Sequence, residues 1–245
     1  MITRLRPSPP ASLPVLCFGH AGSWPSSYST LAADFAPALD LAFVRIEGFG
    51  GSEPAQDTVQ AIVERLAPRL AERLPPRFVL LGHSMGAVLA AECTAWLERQ
   101  GCPRPELLVV SARSGEDRED APPADAFDDT ALARWITALG GTPAEALTDI
   151  ELRTLILRRM RHDLGLLDSY TRSFDTLDVP ILACGGTSDP MVSPNQIAAW
   201  ERRTTAGFMM ACFPGGHFYL DRAGSSIAHI VSALVGSREP VREIA

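Results

Sequence analysis

The sequence contains no lysine: all 22 of its basic residues are arginine. That bias reads as genome composition. Acidic residues number 29, so the formal net charge is −7. A general nucleic-acid binder is excluded, because it would need a broadly basic surface. Local basic patches remain compatible with the total. Long apolar runs are missing too. Leu13–Phe18 is too short for the core of a signal peptide, Pro9, Pro10 and Pro14 interrupt its surroundings, and no later run could span a bilayer. Paired cysteines are also absent. Cys17, Cys93, Cys102, Cys184 and Cys212 are odd in number, form no C-x-x-C pair and mostly sit in apolar runs. Reduced, mostly buried thiols and a cytoplasmic location are the expectation, with no membrane and no nucleic acid as partner.

Cofactor signatures are lacking as well. There is no P-loop, no H-E-x-x-H and no His/Cys grouping with zinc-site spacing. Gly48-Phe49-Gly50-Gly51-Ser52-Glu53 approaches a dinucleotide loop, but the third glycine of G-x-G-x-x-G is replaced by Glu53. Neither metal nor organic cofactor is expected.

What is present is an alternation of short apolar runs with helical patterns. Strands are predicted at Leu13–Phe18, Leu41–Ile46, Phe78–Leu81, Leu107–Val110, Val179–Cys184 and Phe208–Phe213. Helices are predicted near Ser26–Phe35, Thr58–Leu74 with Pro68 as a possible kink, Ala87–Arg99 and Ser225–Val235. This pattern implies a mostly parallel sheet covered on both faces, an α/β class fold whose ligands bind beyond the carboxyl ends of the strands. The rhythm breaks after the fourth strand of the series. Gly115–Asp129 is acidic and proline-bearing, a solvated loop. Thr142-Pro143-Ala144-Glu145 and Thr148-Asp149-Ile150-Glu151 each fit a capping box. The expectation is one domain over residues 1–245, with several helices inserted at about 112–175 as a lid.

Gly82-His83-Ser84-Met85-Gly86 matches G-x-S-x-G, the turn that presents a nucleophilic serine between strand and helix. Such a match arises by chance in roughly one chain in ten of this length, but here an apolar strand precedes it and a small-residue helix follows. A serine needs a base, and the base needs an orienting acid, in the chain order Ser, Asp or Glu, His. Of five histidines, His20 lies upstream at the site rim, His83 within the elbow, His162 in the insertion and His229 on the final helix. His217, in the turn Pro214-Gly215-Gly216-His217 after the last strand, is the candidate base. Asp189, in the turn directly after the preceding strand, is the candidate acid. Asp178 precedes its strand, Asp163 and Asp168 lie in the insertion, and Asp221 is a weaker rival beyond the base. An oxyanion hole needs two backbone N–H donors, expected from Met85 and from Ala21 in the loop His20-Ala21-Gly22.

These motifs resemble the type II thioesterases that accompany polyketide synthases and nonribosomal peptide synthetases. The resemblance runs from about Leu13 to Val235. It rests on Leu16-Cys17-Phe18-Gly19-His20-Ala21-Gly22, Gly82-His83-Ser84-Met85-Gly86, Arg161-His162-Asp163-Leu164 and Phe213-Pro214-Gly215-Gly216-His217-Phe218. The His-Ala-Gly loop together with Pro-Gly-Gly-His-Phe is the more specific part. Gly19 stands where proline is usual, and Ile46-Glu47-Gly48-Phe49-Gly50 replaces a Pro-Gly-Arg-type stretch. The resemblance implies an α/β-hydrolase fold and hydrolysis of acyl groups from the phosphopantetheine arms of acyl or peptidyl carrier proteins. Ser84, Asp189 and His217 would be its triad, and Ala21 and Met85 its oxyanion donors. The alternatives are a general carboxylester or acyl-CoA hydrolase on the same scaffold and, more remotely, a non-catalytic scaffold binding an acyl ligand or a partner. Arg158, Arg159 and Arg161 form a basic cluster that could steer an acidic carrier, or simply a solvated helix face.

Overall fold

The computed structural model describes residues 2–10, 12–46, 58–116, 123–142 and 144–236. The stretch from Gly48 to Glu53, and with it most of the departure noted above, lies outside them.

Seven strands form one sheet: β1 (Ile2–Arg4), β2 (Leu13–Phe18), β3 (Leu39–Val44), β4 (Val79–His83), β5 (Leu107–Ser111), β6 (Ile181–Gly186) and β7 (Phe208–Phe213). Their order is β1-β3-β2-β4-β5-β6-β7. All neighbours are parallel except β1, which pairs antiparallel with β3, Ile2 opposite Val44. The mostly parallel sheet is as expected. Strand β1 is an addition, since three residues at one edge are too few to leave a periodic signal.

Successive side chains of the central strands enter opposite layers, because the side-chain period of a strand is two. Leu16, Leu80, Leu108 and Ile181 join one buried cluster, packed against α2 (Val59–Ala71) and α3 (Met85–Arg99). Val15, Val79, Val109 and Leu182 join the other, packed against α1 (Ser29–Phe35) and α7 (Leu220–Gly236). Burial on both faces explains why these strands read as continuous apolar runs. Helix α2 runs through Pro68, which costs it one backbone bond near its end. Among the described residues no helix is long and apolar enough to cross a membrane. Cys17, Cys93 and Cys184 are buried, Cys102 is partly so and Cys212 is exposed; all five are free thiols.

The chain leaves β2 toward β3 on one side, while β4 leads to β5 on the other. Loops after β2 and β4 therefore flank the crevice where strand order reverses, the natural ligand position in such sheets. Between β5 and β6 lie a 3-10 turn at Ala124–Ala126, α4 (Asp129–Leu139), a second 3-10 turn at Ala144–Leu147 and α5 (Ile150–Asp168). The start of α5 corrects the sequence reading. Its cap is Asp149, whose carboxylate accepts from Glu151 N and Leu152 N, whereas Thr148 Oγ1 donates to the Glu145 carbonyl. A carboxylate can take two free amides at a helix start and also favours the positive end of the helix dipole, so it prevails over the neighbouring hydroxyl.

The return from α5 to the sheet is fastened from below. Glu92, buried in the middle of α3, accepts hydrogen bonds from Tyr170 Oη at 2.8 Å, from Ser173 N at 2.9 Å and from Ser173 Oγ. Replacing this residue strands three donors in the interior. Glu92→Ala is expected to destabilise the protein by about 3 kcal/mol, read as a lower urea midpoint with an unchanged m-value.

Candidate active site

Ser84 occupies the junction of β4 and α3 with φ 56° and ψ −120°, a conformation that a side-chain-bearing residue adopts only under constraint. The two glycines of the motif make that turn possible. A Cβ on Gly82 would lie 2.2 Å from the Gly86 carbonyl oxygen, and one on Gly86 would lie 2.0 Å from the carbonyl oxygen of Phe18. The helix therefore sits directly against the end of β2. Ser84 N–H donates to the Ser111 carbonyl at 2.8 Å, which ties the turn to β5.

His217 Nε2 lies 3.1 Å from Ser84 Oγ, and His217 Nδ1 lies 2.8 Å from Asp189 Oδ2. The Asp189 carboxylate is fully buried, and its other oxygen accepts from Met191 N at 2.8 Å. That second bond fixes the carboxylate plane facing the imidazole. The structure thus brings together the three side chains singled out in sequence. The rivals are elsewhere: Asp178 pairs with Arg104 on the surface, Asp221 opens α7, and Asp163 pairs with Arg159 within α5.

In the loop after β2, the amides of His20 and Ser23 are committed to Tyr28 Oη and to the His20 carbonyl. Gly22 N–H is committed to Asp163 Oδ2 at 2.8 Å. Within His20–Ser23 only the Ala21 amide has no hydrogen-bond partner among the described residues. Met85, first residue of α3, has an amide free of helical bonding for the ordinary reason that a helix start leaves its first donors unused. Ala21 and Ser84 both border one cavity, with Met160, Leu164, Trp135 and Ile136 from the inserted helices over it. Its volume is about 40 Å³, room for roughly three waters.

Three histidines crowd this centre. The His83 ring lies 5.3 Å from that of His217 and 5.9 Å from that of His20. His83 is almost fully buried, and its Nδ1 meets Ser111 Oγ at 2.9 Å, which in turn meets Tyr219 Oη at 2.6 Å. Burial first, then the neighbouring His217, push the His20 pKa down to about 3 against a partial lift from Asp163. Burial, His217 and His20 likewise hold His83 well below the usual imidazole range. His83 and Tyr219 were not singled out as partners in sequence, since their link through Ser111 joins three separate elements. The arginine cluster of α5 is largely engaged: Arg159 turns inward to Asp163, and Arg161 bonds Asp129 and the Phe127 carbonyl.

A family model described as the thioesterase domain matches residues 13–235. The chain belongs to that family. As a thioesterase it is a hydrolase acting on thioesters. It is 30% identical over 235 residues to thioesterase PikA5 of Streptomyces venezuelae, covering 94% of this chain and 84% of that one. With the gramicidin S biosynthesis protein GrsT of Aneurinibacillus migulanus it shares 28% over 217 residues, 86% of this chain and 84% of the other. The solved structure of BorB, a type II thioesterase from the borrelidin biosynthetic cluster, is similar with a TM-score of 0.83 and 32% identity, covering 96% and 97% of the two chains. Likeness over nearly whole chains assigns the α/β-hydrolase fold to the full described domain of this thioesterase.

The histidine environment sets a pH dependence. His20 and His83 stay neutral when folded but titrate near 6.5 when unfolded, so the unfolded state binds more protons below that value. Stability is therefore fully present above pH 6.5 and lost as the pH falls. Between pH 7 and pH 5 the loss is expected to be about 2 kcal/mol for each of the two groups. Urea unfolding across that range, with proton uptake measured in parallel, checks it.

Proposed function

We propose that this thioesterase releases acyl groups from phosphopantetheine thioesters on acyl or peptidyl carrier proteins, clearing stalled or wrong units during polyketide or nonribosomal peptide synthesis. The observation that carries the reading is the hydrogen-bonded series Asp189–His217–Ser84, set below inserted helices α4 and α5 that act as its lid. Two of the relatives named above, the gramicidin S biosynthesis protein and the type II thioesterase from the borrelidin biosynthetic cluster, support the substrate class.

Ser84 Oγ attacks the thioester carbonyl while His217 takes its proton. Asp189 holds the imidazole with Nε2 facing the serine and stabilises the positive charge that forms. The oxygen of the tetrahedral intermediate gathers negative charge between the Ala21 and Met85 amides. Thiolate then departs, which is easy because a thiol has a pKa near 8.5. Water activated by His217 hydrolyses the acyl-enzyme. No step calls for a metal or cofactor.

Matched acetyl thioesters on a carrier protein and on coenzyme A, followed by intact-mass spectrometry, test the reading. Release should be faster from the carrier protein, and Ser84→Ala should lower it by about four orders of magnitude or more. Equal or faster release from coenzyme A would turn the assignment to an acyl-CoA hydrolase. Undiminished release by Ser84→Ala would overturn the mechanism. Failure of an active-serine phosphonate to label Ser84 would favour a non-catalytic scaffold.

A further inference from the structure

The lid helix α5 places a buried carboxylate against the loop after β2. Asp163 is 1% exposed at its side chain and shares its Oδ2 between Gly22 N–H and Arg159 Nε, both at 2.8 Å, while Oδ1 meets His162 Nδ1 at 2.9 Å. The bond to Gly22 spans 141 positions of chain, so it joins lid to sheet. Its acceptor is a carboxylate, which makes it one of the stronger kinds of hydrogen bond.

The loop it grips is a tight turn. Ser23 N–H donates to the His20 carbonyl at 3.0 Å, and Gly22 has φ +77°. With positive φ only at the third residue, this is a type II turn, distinguished from type I by the orientation of its central peptide, here Ala21–Gly22. Flipping that peptide would withdraw Gly22 N–H and aim the Ala21 carbonyl at the Asp163 carboxylate, which repels it. Met160 Cε lies 3.0 Å from where a Cβ on Gly22 would stand, so the same lid helix also packs on the turn. Arg159 supplies the counter-charge that keeps an anion beside the turn from opposing negative charge on the substrate oxygen.

We propose that Asp163 is a positioning residue: by holding Gly22 N–H it fixes the turn that presents the Ala21 amide to the developing oxyanion, so the oxyanion hole is complete only while α5 is seated. This rests on the reading of Ser84, Ala21 and Met85 given above.

The test compares two paired substitutions that both remove the buried ion pair. Arg159→Met with Asp163→Leu puts apolar groups of similar volume in place of both charges, an exchange that folded proteins commonly tolerate. Arg159→Met with Asp163→Asn restores an acceptor for Gly22 N–H without the charge. Two readouts follow, kcat and KM on an acyl thioester, and the affinity of a trifluoromethyl ketone analogue. The ketone carbon bonds Ser84 Oγ, His217 takes the proton, and the ketone oxygen becomes the oxyanion. In the leucine pair, with a native circular dichroism spectrum and KM within about threefold, kcat and ketone affinity should both fall about 10- to 100-fold. The asparagine pair should recover most of both. A leucine pair within about threefold of the parent in kcat and ketone affinity, or an asparagine pair no better than the leucine pair, overturns the proposal. Failure of the unsubstituted protein to bind the ketone through Ser84 would instead overturn the underlying site assignment, and is told apart because it needs no substitution.

Discussion

Everything at the site depends on how closely α3 approaches β2. The Gly86 position faces the Phe18 carbonyl at a distance no Cβ could share, and Gly82 faces the Gly86 carbonyl in the same way. Only with both side chains absent can the strand turn into the helix within one residue, and that residue, Ser84, carries the backbone strain. The sheet buries apolar side chains on both faces, and this burial holds the strained turn in place. The close approach also brings the first amide of α3 near the loop after β2. Ala21 of that loop and Ser84, from elements far apart in sequence, thereby border one cavity.

The inserted helices depend on polar ties to the sheet layer. Buried apolar contacts are non-directional and could be satisfied by several placements of α4 and α5 over the crevice. Glu92 and Asp163 are not so tolerant. Each is a buried carboxylate with three partners, one fastening the chain after α5 to α3 and the other fastening α5 to the loop after β2. A buried carboxylate missing its partners costs several kcal/mol, so these two positions select one placement of the inserted helices. On the proposed mechanism that placement encloses the acyl group and completes the oxyanion hole.

What could be read in the sequence follows the range of the interactions. The six parallel strands and the main helices were legible because both faces of the sheet are buried and its strands are unbroken apolar runs. Ser84 was legible from five consecutive residues, and Asp189 and His217 from turns directly after strands, positions that parallel topology brings to one edge. Boundaries moved by a few residues: α7 begins at Leu220 rather than Ser225, and the cap of α5 is Asp149 rather than Thr148. Strand β1 was missed because three residues cannot show a period. The partners of Glu92, Asp163 and His83 were missed for a different reason. Each bond joins elements dozens of residues apart or more, and no local pattern distinguishes a buried glutamate on an apolar helix from an exposed one. Within the Arg161-His162-Asp163-Leu164 motif the residues stood out, but the inward direction of Asp163 and Leu164 did not.

Crowding of three histidines looks unfavourable for a base that must become positively charged. The geometry resolves this by assigning the charge to one ring. His20 is pushed down to about 3 and His83 also lies well below the ordinary range, chiefly through burial, so both are biased to the neutral form. His217 alone of the three has a buried carboxylate on its Nδ1. On the proposed mechanism, when it accepts the serine proton its positive charge meets Asp189 at hydrogen-bond distance, with the His83 ring 5.3 Å away. The neighbours thus add no like charge and exclude water from one side, which strengthens the attraction to Asp189. On the proposed mechanism the one carboxylate makes His217, of the three rings, the proton acceptor that faces Ser84.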